Sequence, residues 1–483
     1  MNIVLLLAAC PVLIAVAALC IRDLRWVRVI GATGSMLHVC AAVAVAVPVL
    51  LGRPQTRLFA SFQLDGISVW FILTNSLVFA GAMTTAALLL KDPAEIHLTE
   101  RSGRALFGLS ALFIVASNAV VCAADLGTLW VAMEASTLIT APIILLSGTR
   151  KSIEAAWKYL ILCGVGIAFA LLGTMMVMAS AQRAELGTMS LNIEWLRSHA
   201  ASFNGPLLRA SFVFFILGYG TKAGLFPVHS WLPDAHSEAP APGSMLLSGA
   251  LLNCGMVSLW RIGGIFEASN SGHLLSRLLA PMGAVTVLAA GLMLVHQRDL
   301  KRMFAYSSVE NMGLLAVAVG FRSAPIFALH ALAHSLAKAS AFSLSGCIAR
   351  EFGTVTLSKL SGVMRLSPRL GFALLGAGAA VMGAPPFAAF ASEWLLLARA
   401  ADMHYFAIAI AIVIGLAISF VAVLIHLGRV VFGEKPGRAA KSRSGWSLIP
   451  SVVLLVAAAV AGIVVTPSLL ASLERALGSG GIR

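Results

Sequence analysis

The run TKAGLFPVHSWLPDAHSEAPAPGS, Thr221 to Ser244, sets Lys222 inside an apolar helix and then breaks that helix with Pro227 and Pro233. A lysine at the centre of a bilayer costs about 3 kcal/mol on translocon scales, so such residues face a bundle interior or a water path rather than lipid. Proline inside a helix removes a backbone hydrogen bond, and the freed carbonyls persist at membrane depth only within protein or along a wet cavity. Lys222 is therefore a functional candidate from the outset.

The rest of the chain supplies the membrane. Of 483 residues 59% are hydrophobic and only 11% charged, with a mean hydropathy of +0.93, too few charges to cover a soluble surface. Apolar stretches of roughly 20 residues recur from end to end. Fourteen spans are read, at 3-21, 29-51, 66-90, 105-123, 126-147, 155-180, 208-227, 241-261, 274-296, 300-321, 324-349, 370-398, 403-428 and 447-472. The first has no basic residues before it and many spans after it, so it is read as a membrane helix and not a signal peptide.

Basic residues orient these spans, because short cytoplasmic loops collect Lys and Arg. With the N-terminus outside, 20 of the 34 Lys and Arg fall in cytoplasmic loops and 11 on the opposite side; Lys158, Lys222 and Lys338 remain within the membrane. The net charge of +14 is thus assigned to topology, and no nucleic-acid partner is expected. Seven cysteines sit singly in apolar segments without a C-x-x-C pair, so neither a zinc ribbon nor an iron-sulfur cluster is expected in this chain. No Gly-rich phosphate loop is present. The longest polar connections, 91-104, 181-207, 350-369 and 429-446, are too short for a soluble domain, so redox chemistry is expected of other subunits. Glu185 to Phe203, with Leu191, Ile193, Trp195 and Leu196 among charges, reads either as a short interfacial helix or as an ordered loop.

Two spans look broken. The seventh holds Gly220, Gly224 and Pro227 beside Lys222, and the twelfth holds Gly383, Pro385 and Pro386 before Glu393 in VMGAPPFAAFASEW. They lie five spans apart, so equivalent helices of two five-span units run in opposite directions, the signature of inverted repeats. The expected division is 1-104 as peripheral spans one to three, 105-261 and 274-428 as the two repeats, and 447-483 as a peripheral last span and tail.

Ionisable residues cluster on these helices. Glu134, in LWVAMEASTLITAP, lies near the middle of the fifth span, where a lone carboxylate is costly. Pairing with Lys222 lowers both costs. Such a pair is either a permanent ion pair between helices or, if it opens and closes, a proton-release device. Lys158 comes one turn after Glu154; it is either a surface anchor paired at i,i+4 or an extension of the polar line. In FALHALAHSLAKASAFSLSG, His330, His334 and Lys338 recur at i, i+4 and i+8 on one face, a spacing suited to passing protons through intervening water. A metal is the lesser reading of the two histidines, since no further ligands complete a set. Glu393 is read as the buried acid ending this axis. His229, Asp234, His236 and Glu238, with Glu310 and Asn311 in YSSVENMG, form either an inlet or, for Asp234 and its neighbours, a cap on the eighth helix.

LWVAMEAS, TKAGLFPVHSWLPDAHSEAPAPGSMLLSGALLN, DLKRMFAYSSVENMG, HALAHSLAKASAFSLSG and GAPPFAAFASEW, in order over residues 125 to 395, strongly resemble the proton-translocating antiporter-like subunits of respiratory complex I, membrane-bound hydrogenases and multi-subunit sodium/proton antiporters. The resemblance implies an all-α polytopic membrane fold of about fourteen helices, two inverted repeats and a central hydrophilic axis. It implies that Glu134 is the fifth-helix glutamate, Lys222 the seventh-helix lysine, His330, His334 and Lys338 the eleventh-helix relay and Glu393 the twelfth-helix terminal acid. One departure stands out: where many members carry an eighth-helix lysine, GALLNCGMVSLWR has Asn253, which cannot take up a proton, leaving the middle step to water, His334 or Lys338.

LLNCGMV, WVAMEAS and EAAWKYLILCGVGIAFALLGT are similar to the F component of hydrogenase-4 and formate hydrogenlyase-type complexes. This likeness implies a non-catalytic, proton-translocating subunit in a bacterial inner membrane, beside other membrane subunits and soluble redox subunits that hold iron-sulfur clusters, nickel-iron or flavin. An NADH:quinone oxidoreductase subunit, a redox-independent cation/proton antiporter and a structural scaffold are the alternatives.

Overall fold

Asp23, Asp65, Thr99, Asp125, Asn204 and Asp299 each precede a helix and accept a hydrogen bond from a backbone N–H two or three residues on. These caps satisfy donors that the helix itself leaves open. The computed structural model describes residues 2-52, 56-59, 61-91, 98-182, 190-434 and 445-478. Over them run α1 (Asn2–Cys20), α2 (Leu24–Leu50), α3 (Gly66–Leu89), α4 (Glu100–Cys122), α5 (Leu126–Leu145), α6 (Arg150–Gln182), α7 (Ile193–His199), α8 (Gly205–Ala223), α9 (Trp231–Glu238) and α10 (Ala241–Leu246). The chain continues through α11 (Leu252–Glu267), α12 (Ala280–Leu294), α13 (Leu300–Gly320), α14 (Ala324–Phe352), α15 (Val363–Leu366), α16 (Pro368–Val381), α17 (Ala388–Asp402), α18 (Phe406–Phe432), α19 (Ile449–Ile463) and α20 (Pro467–Gly478). A π turn, Leu247–Leu251, joins α10 to α11, and another, Leu275–Leu279, leads into α12.

Among the described residues nine helices are long and apolar enough to cross a membrane, with two shorter apolar helices, Leu6–Cys20 and Pro368–Val381, beside them. The protein is an integral membrane protein and is all-α but for one hairpin. In that hairpin β1 (Thr56–Phe59) pairs antiparallel with β2 (Phe62–Leu64) in the register Thr56 to Leu64. Of the basic loop residues, Arg53, Arg183, Lys435, Arg438, Lys441, Arg443 and Arg483 lie outside the described residues.

The centre is made by the continuous helix Ala241–Glu267, whose apolar window is wholly buried, and by α14. By contrast only 33% of the α18 window and 22% of the α19 window is buried, leaving Ile410, Val413, Phe420 and Val453 on an outer apolar face that suits lipid. Close helix approach uses small residues: Gly166 of α6 lies against Thr221, Gly173 against Phe215, and Gly218 of α8 against Ala170. Near one end, Arg261 of α11 donates to both Asp65 oxygens, at 2.9 and 3.2 Å, to Ser68 Oγ at 2.8 Å and to the Val121 carbonyl at 2.6 Å. That buried fork ties the start of α3, the end of α4 and α11 together.

The breaks differ in detail from the expectation. The seventh span ends at Ala223, not 227, because Gly224 takes φ +75° and the Leu225 N–H reaches back to the Gly220 carbonyl at 2.9 Å, a left-handed helix terminus that suits glycine. Pro233 breaks nothing: it is the third residue of α9, in the first turn, where its missing N–H is not needed. The twelfth span ends at Val381 and resumes at Ala388; Gly383 takes φ +66° and the Ala384 N–H meets the Ala379 carbonyl at 2.9 Å. The Phe226–Pro227 and Pro385–Pro386 bonds are cis. The last span is also shorter than 447-472, since α19 stops at Ile463 and a separate amphipathic helix, α20, begins at Pro467 and buries Leu473 and Leu477. Of the 185-203 segment, the described part holds the seven-residue α7, capped by Asn192; residues 185-189 lie outside the described residues.

Two turns share one bonding pattern. At Asp125 the Leu126 N–H donates to the Leu191 carbonyl and the Ile193 N–H to that of Ala124, at 3.0 and 2.9 Å. At Asp299 the Leu300 N–H donates to the Val355 carbonyl and the Leu357 N–H to that of Arg298, both at 2.9 Å. In each case the aspartate caps the next helix, α5 or α13.

Candidate functional site

The last turn of α8 carries Lys222 into a fully buried position. Its ammonium donates to the Tyr159 phenol of α6 at 3.3 Å and lies 5.1 Å from the centre of that ring. Tyr159 in turn contacts Thr140 Oγ1 of α5 at 2.5 Å. Glu134, half-buried on α5, accepts from Thr137 Oγ1 at 3.3 Å. Among the described residues no ion pair within 4 Å joins Glu134 to Lys222. The hydroxyls of Thr137, Thr140 and Tyr159 stand between the acid and the base.

At the end of α8 the Thr221 carbonyl accepts from the Gly224 N–H at 3.1 Å and also from the Trp231 indole at 2.8 Å. The Trp231 and Tyr159 rings lie 5.0 Å apart. Tyr159 and Trp231 are functional candidates that the ionisable pattern of the sequence does not name. A signal is nonetheless present: on α6 the buried stripe runs Ala155, Ala156, Tyr159, Cys163, Gly166 and Ile167, small or polar residues at helical spacing, while Trp157, Ile161 and Val165 face outward. Lys158 belongs to the outward set. It is 47% exposed and pairs with Glu154 at 2.6 Å and with Asp234 at 3.1 Å.

At the middle of the bundle Asn253 is fully buried and donates through Nδ2 to the Gly249 carbonyl at 3.1 Å and to Ser335 Oγ at 2.7 Å. Gly249 lies in the π turn between α10 and α11, where the backbone bonds reach five residues back, as from the Leu252 N–H to the Leu247 carbonyl. Ser335 also donates to the Gly249 carbonyl at 2.7 Å, His334 Nε2 meets the neighbouring Ser248 carbonyl at 3.2 Å, and Ser248 Oγ meets Ser308 Oγ of α13 at 2.9 Å. The π turn is what lets one helix present a row of acceptors to α14. Nothing in the residue pattern announces it.

Along α14, His330, His334 and Lys338 are all buried on one face. His330 Nδ1 meets Ser392 Oγ of α17 at 2.8 Å, and Lys338 bonds Ser307 Oγ and, at 3.4 Å, the Phe304 carbonyl of α13. Glu310, Asn311, Ser307, Ser419 and Glu393 line one small cavity between α13, α17 and α18. Glu310, read from sequence as part of an inlet, therefore stands across a cavity from Glu393. His236 of α9 stacks on Phe342 at 5.3 Å, and His229, in the break, lies 6.4 Å from Tyr306. Asp234 also pairs with Arg302 at 2.5 Å. Among the described residues no three of His, Cys, Asp or Glu are grouped to hold a metal.

Residues 123-419, which contain this whole row from Glu134 to Glu393, match the family described as NADH:quinone oxidoreductase/Mrp antiporter, TM. The chain belongs to that family. Among relatives of the antiporter family it is 37% identical over 412 residues to the hydrogenase-4 component F homolog of Methylacidiphilum infernorum, covering 84% of this chain and 86% of that one. It is 33% identical over 319 residues to NADH-quinone oxidoreductase subunit N of Desulforudis audaxviator, covering 65% and 62%. Two solved structures share the fold over 99% of this chain. A chain of the archaeal membrane-bound sulfane sulfur reductase matches with a TM-score of 0.86 at 22% identity, covering 99% of this chain and 97% of that one. A chain of the Mrp complex from Dietzia sp. matches at 0.83 and 18%, covering 99% and 96%.

Proposed function

We propose that this antiporter-like subunit carries protons across a bacterial inner membrane within a redox-driven complex of the hydrogenase-4 or formate hydrogenlyase kind. The observation that carries the reading is the set of buried Lys222 on α8 and His334 and Lys338 on α14, each bonded to hydroxyls or carbonyls of the neighbouring helices. Protons pass from Glu134 through Thr137, Thr140 and Tyr159 to Lys222, then by Asn253, Ser335 and His334 to Lys338, and by Glu310 and His330 to Glu393. Asn253 takes no proton itself and orders the carriers. His330 Nε2, His334 Nδ1, Asn253 Oδ1 and Glu310 Oε1 are buried without protein partners, positions that internal water commonly satisfies. Moving one charge against 100 mV takes about 2.3 kcal/mol. A hydrogen bond to a charged group contributes about 1.5–3 kcal/mol, so a change in the contact between Lys222 and Tyr159 is of the same size.

A fourteen-span fold of two inverted repeats, 105-261 and 274-428, with the N-terminus outside, underlies this axis. Two matched features support it. The Asp125 and Asp299 turns have the same bonds and, in this topology, fall on opposite sides of the membrane; the left-handed glycines Gly224 and Gly383 end equivalent half-helices. Residues 1-104 and 447-483 flank the repeats. The partners are other membrane subunits and soluble redox subunits carrying iron-sulfur clusters with nickel-iron or flavin. This chain supplies no redox site.

Asn253, at the place of a family lysine, favours a second reading in which the subunit only holds a complex together; normal translocation after combined loss of Glu134 and Lys222 would support it. Gentle-detergent purification of the native tagged protein tests the assignment. Co-purifying hydrogenase-like subunits with nickel and iron are expected. Iron with flavin points to an NADH dehydrogenase, and small membrane partners with sodium-dependent proton exchange and no metal point to an antiporter.

A further inference from the structure

The eight residues of α9 are gripped from two sides. Asp234, in the first turn, accepts from Lys158 of α6 at 3.1 Å and from Arg302 of α13 at 2.5 Å, and Lys158 is itself held by Glu154. At the other end of α9 the Ser237 and Ala239 carbonyls accept from Lys301 Nζ at 2.8 and 2.5 Å. The adjacent Lys301 and Arg302 of α13 thus clasp both ends of α9, while α6 holds it through Lys158.

One turn before Asp234 is Trp231, three residues away on the same face and about 4.5 Å along the axis. Trp231 bonds the Thr221 carbonyl at the end of α8 and packs on Tyr159, the phenol to which Lys222 donates. A shift of α9 therefore moves the indole that seats the partner of Lys222. The spacing recurs at the second break, where Glu393 lies ten residues after Gly383 as Asp234 lies ten after Gly224, but among the described residues no cation pairs with Glu393 within 4 Å. Lys158 is 47% exposed, and ion pairs of that kind contribute little to global stability; what these charges set is where α9 sits between α6 and α13.

We infer that Lys158, Asp234 and Arg302 are positioning residues for the Lys222 step: they fix α9, and through Trp231 the contact between Tyr159 and Lys222, without carrying the proton. This rests on the proton-translocation reading. It assigns Lys158 to the control of the axis and not to its path.

The test uses the intact complex labelled with 5-fluorotryptophan, the Trp231 19F resonance being identified by Trp231→Phe. Asp234→Asn should shift that resonance and lower proton translocation per redox turnover at least ~10-fold with assembly retained, the size of effect that a small misplacement of a reacting group produces. Asp234→Glu should restore both. Lys158→Gln, a surface change that leaves folding intact, should move both readouts in the same direction and by less. Translocation lost with an unmoved Trp231 resonance would make Asp234 a carrier and overturn the inference, as would both readouts unchanged in Asp234→Asn and Lys158→Gln. Full translocation in Lys222→Ala, with the Trp231 resonance still responding to Asp234→Asn, would refute the transport reading and leave the mechanical link standing.

Discussion

Lys222 donates to the Tyr159 phenol at 3.3 Å, and no ion pair joins it to Glu134. The nearest partner of this buried ammonium is thus a neutral hydroxyl and not a carboxylate. In the proposed path Glu134 is the acid that stands before Lys222. Its effect on Lys222 passes through a space that Thr137, Thr140 and Tyr159 fill with hydroxyls.

Tyr159→Phe keeps the ring against Trp231 and removes only the oxygen. Loss of a hydrogen bond to a charged group is worth about 1.5–3 kcal/mol, so proton translocation should fall by roughly ten- to a hundredfold while the complex assembles. Proteoliposomes with a pH-sensitive dye give the measurement. Unchanged translocation would remove Tyr159 from the path.

Asn253→Leu should also uncouple the complex, for a different reason. It leaves the Gly249 carbonyl and Ser335 without the amide that connects α11 to α14 and fills the site with an apolar group. Redox turnover should persist with translocation reduced at least ~10-fold, since a relay needs each polar step in hydrogen-bond reach. Wild-type coupling in Asn253→Leu would show that the middle step bypasses it.

Charges and helix breakers at membrane depth are expensive, so Lys222, His334, Lys338 and the two Gly-Pro interruptions stand out in the sequence alone. Hydroxyls, amides and backbone carbonyls are cheap in a helix and leave no such mark. Tyr159 is hidden beside Lys158, although residues one apart on a helix face directions about 100° apart, and here Tyr159 enters the core while Lys158 faces outward. The π turn at Leu247–Leu251 and the stop at Ile463 depend on tertiary packing, which periodicity does not report. Pro233 reads as a breaker in sequence because the start of α9, and hence the first-turn position of that proline, depends on a tertiary arrangement.

The Arg261 clamp gives a stability prediction. Arg261→Ala strands the buried Asp65 carboxylate and should destabilise the protein by about 3–5 kcal/mol. Arg261→Met combined with Asp65→Asn should recover part of that loss. Thermal unfolding in detergent, monitored by intrinsic fluorescence, separates the two variants. Equal melting of Arg261→Ala and wild type would mean that the pair contributes nothing.

Gly224 has φ +75°. Gly224→Ala puts a Cβ into left-handed backbone and toward the Leu232 side chain, and should cost about 1–2 kcal/mol from the backbone alone. Gly148, also at positive φ but with open space around it, should tolerate alanine better. The difference in melting temperature between the two variants is the readout.

The central claim is that Lys222 carries protons across the membrane. The most direct measurement is proton translocation per redox turnover in proteoliposomes of the assembled complex bearing Lys222→Ala. The account predicts an assembled complex with redox turnover and no translocation; full translocation in that assembled variant would contradict it.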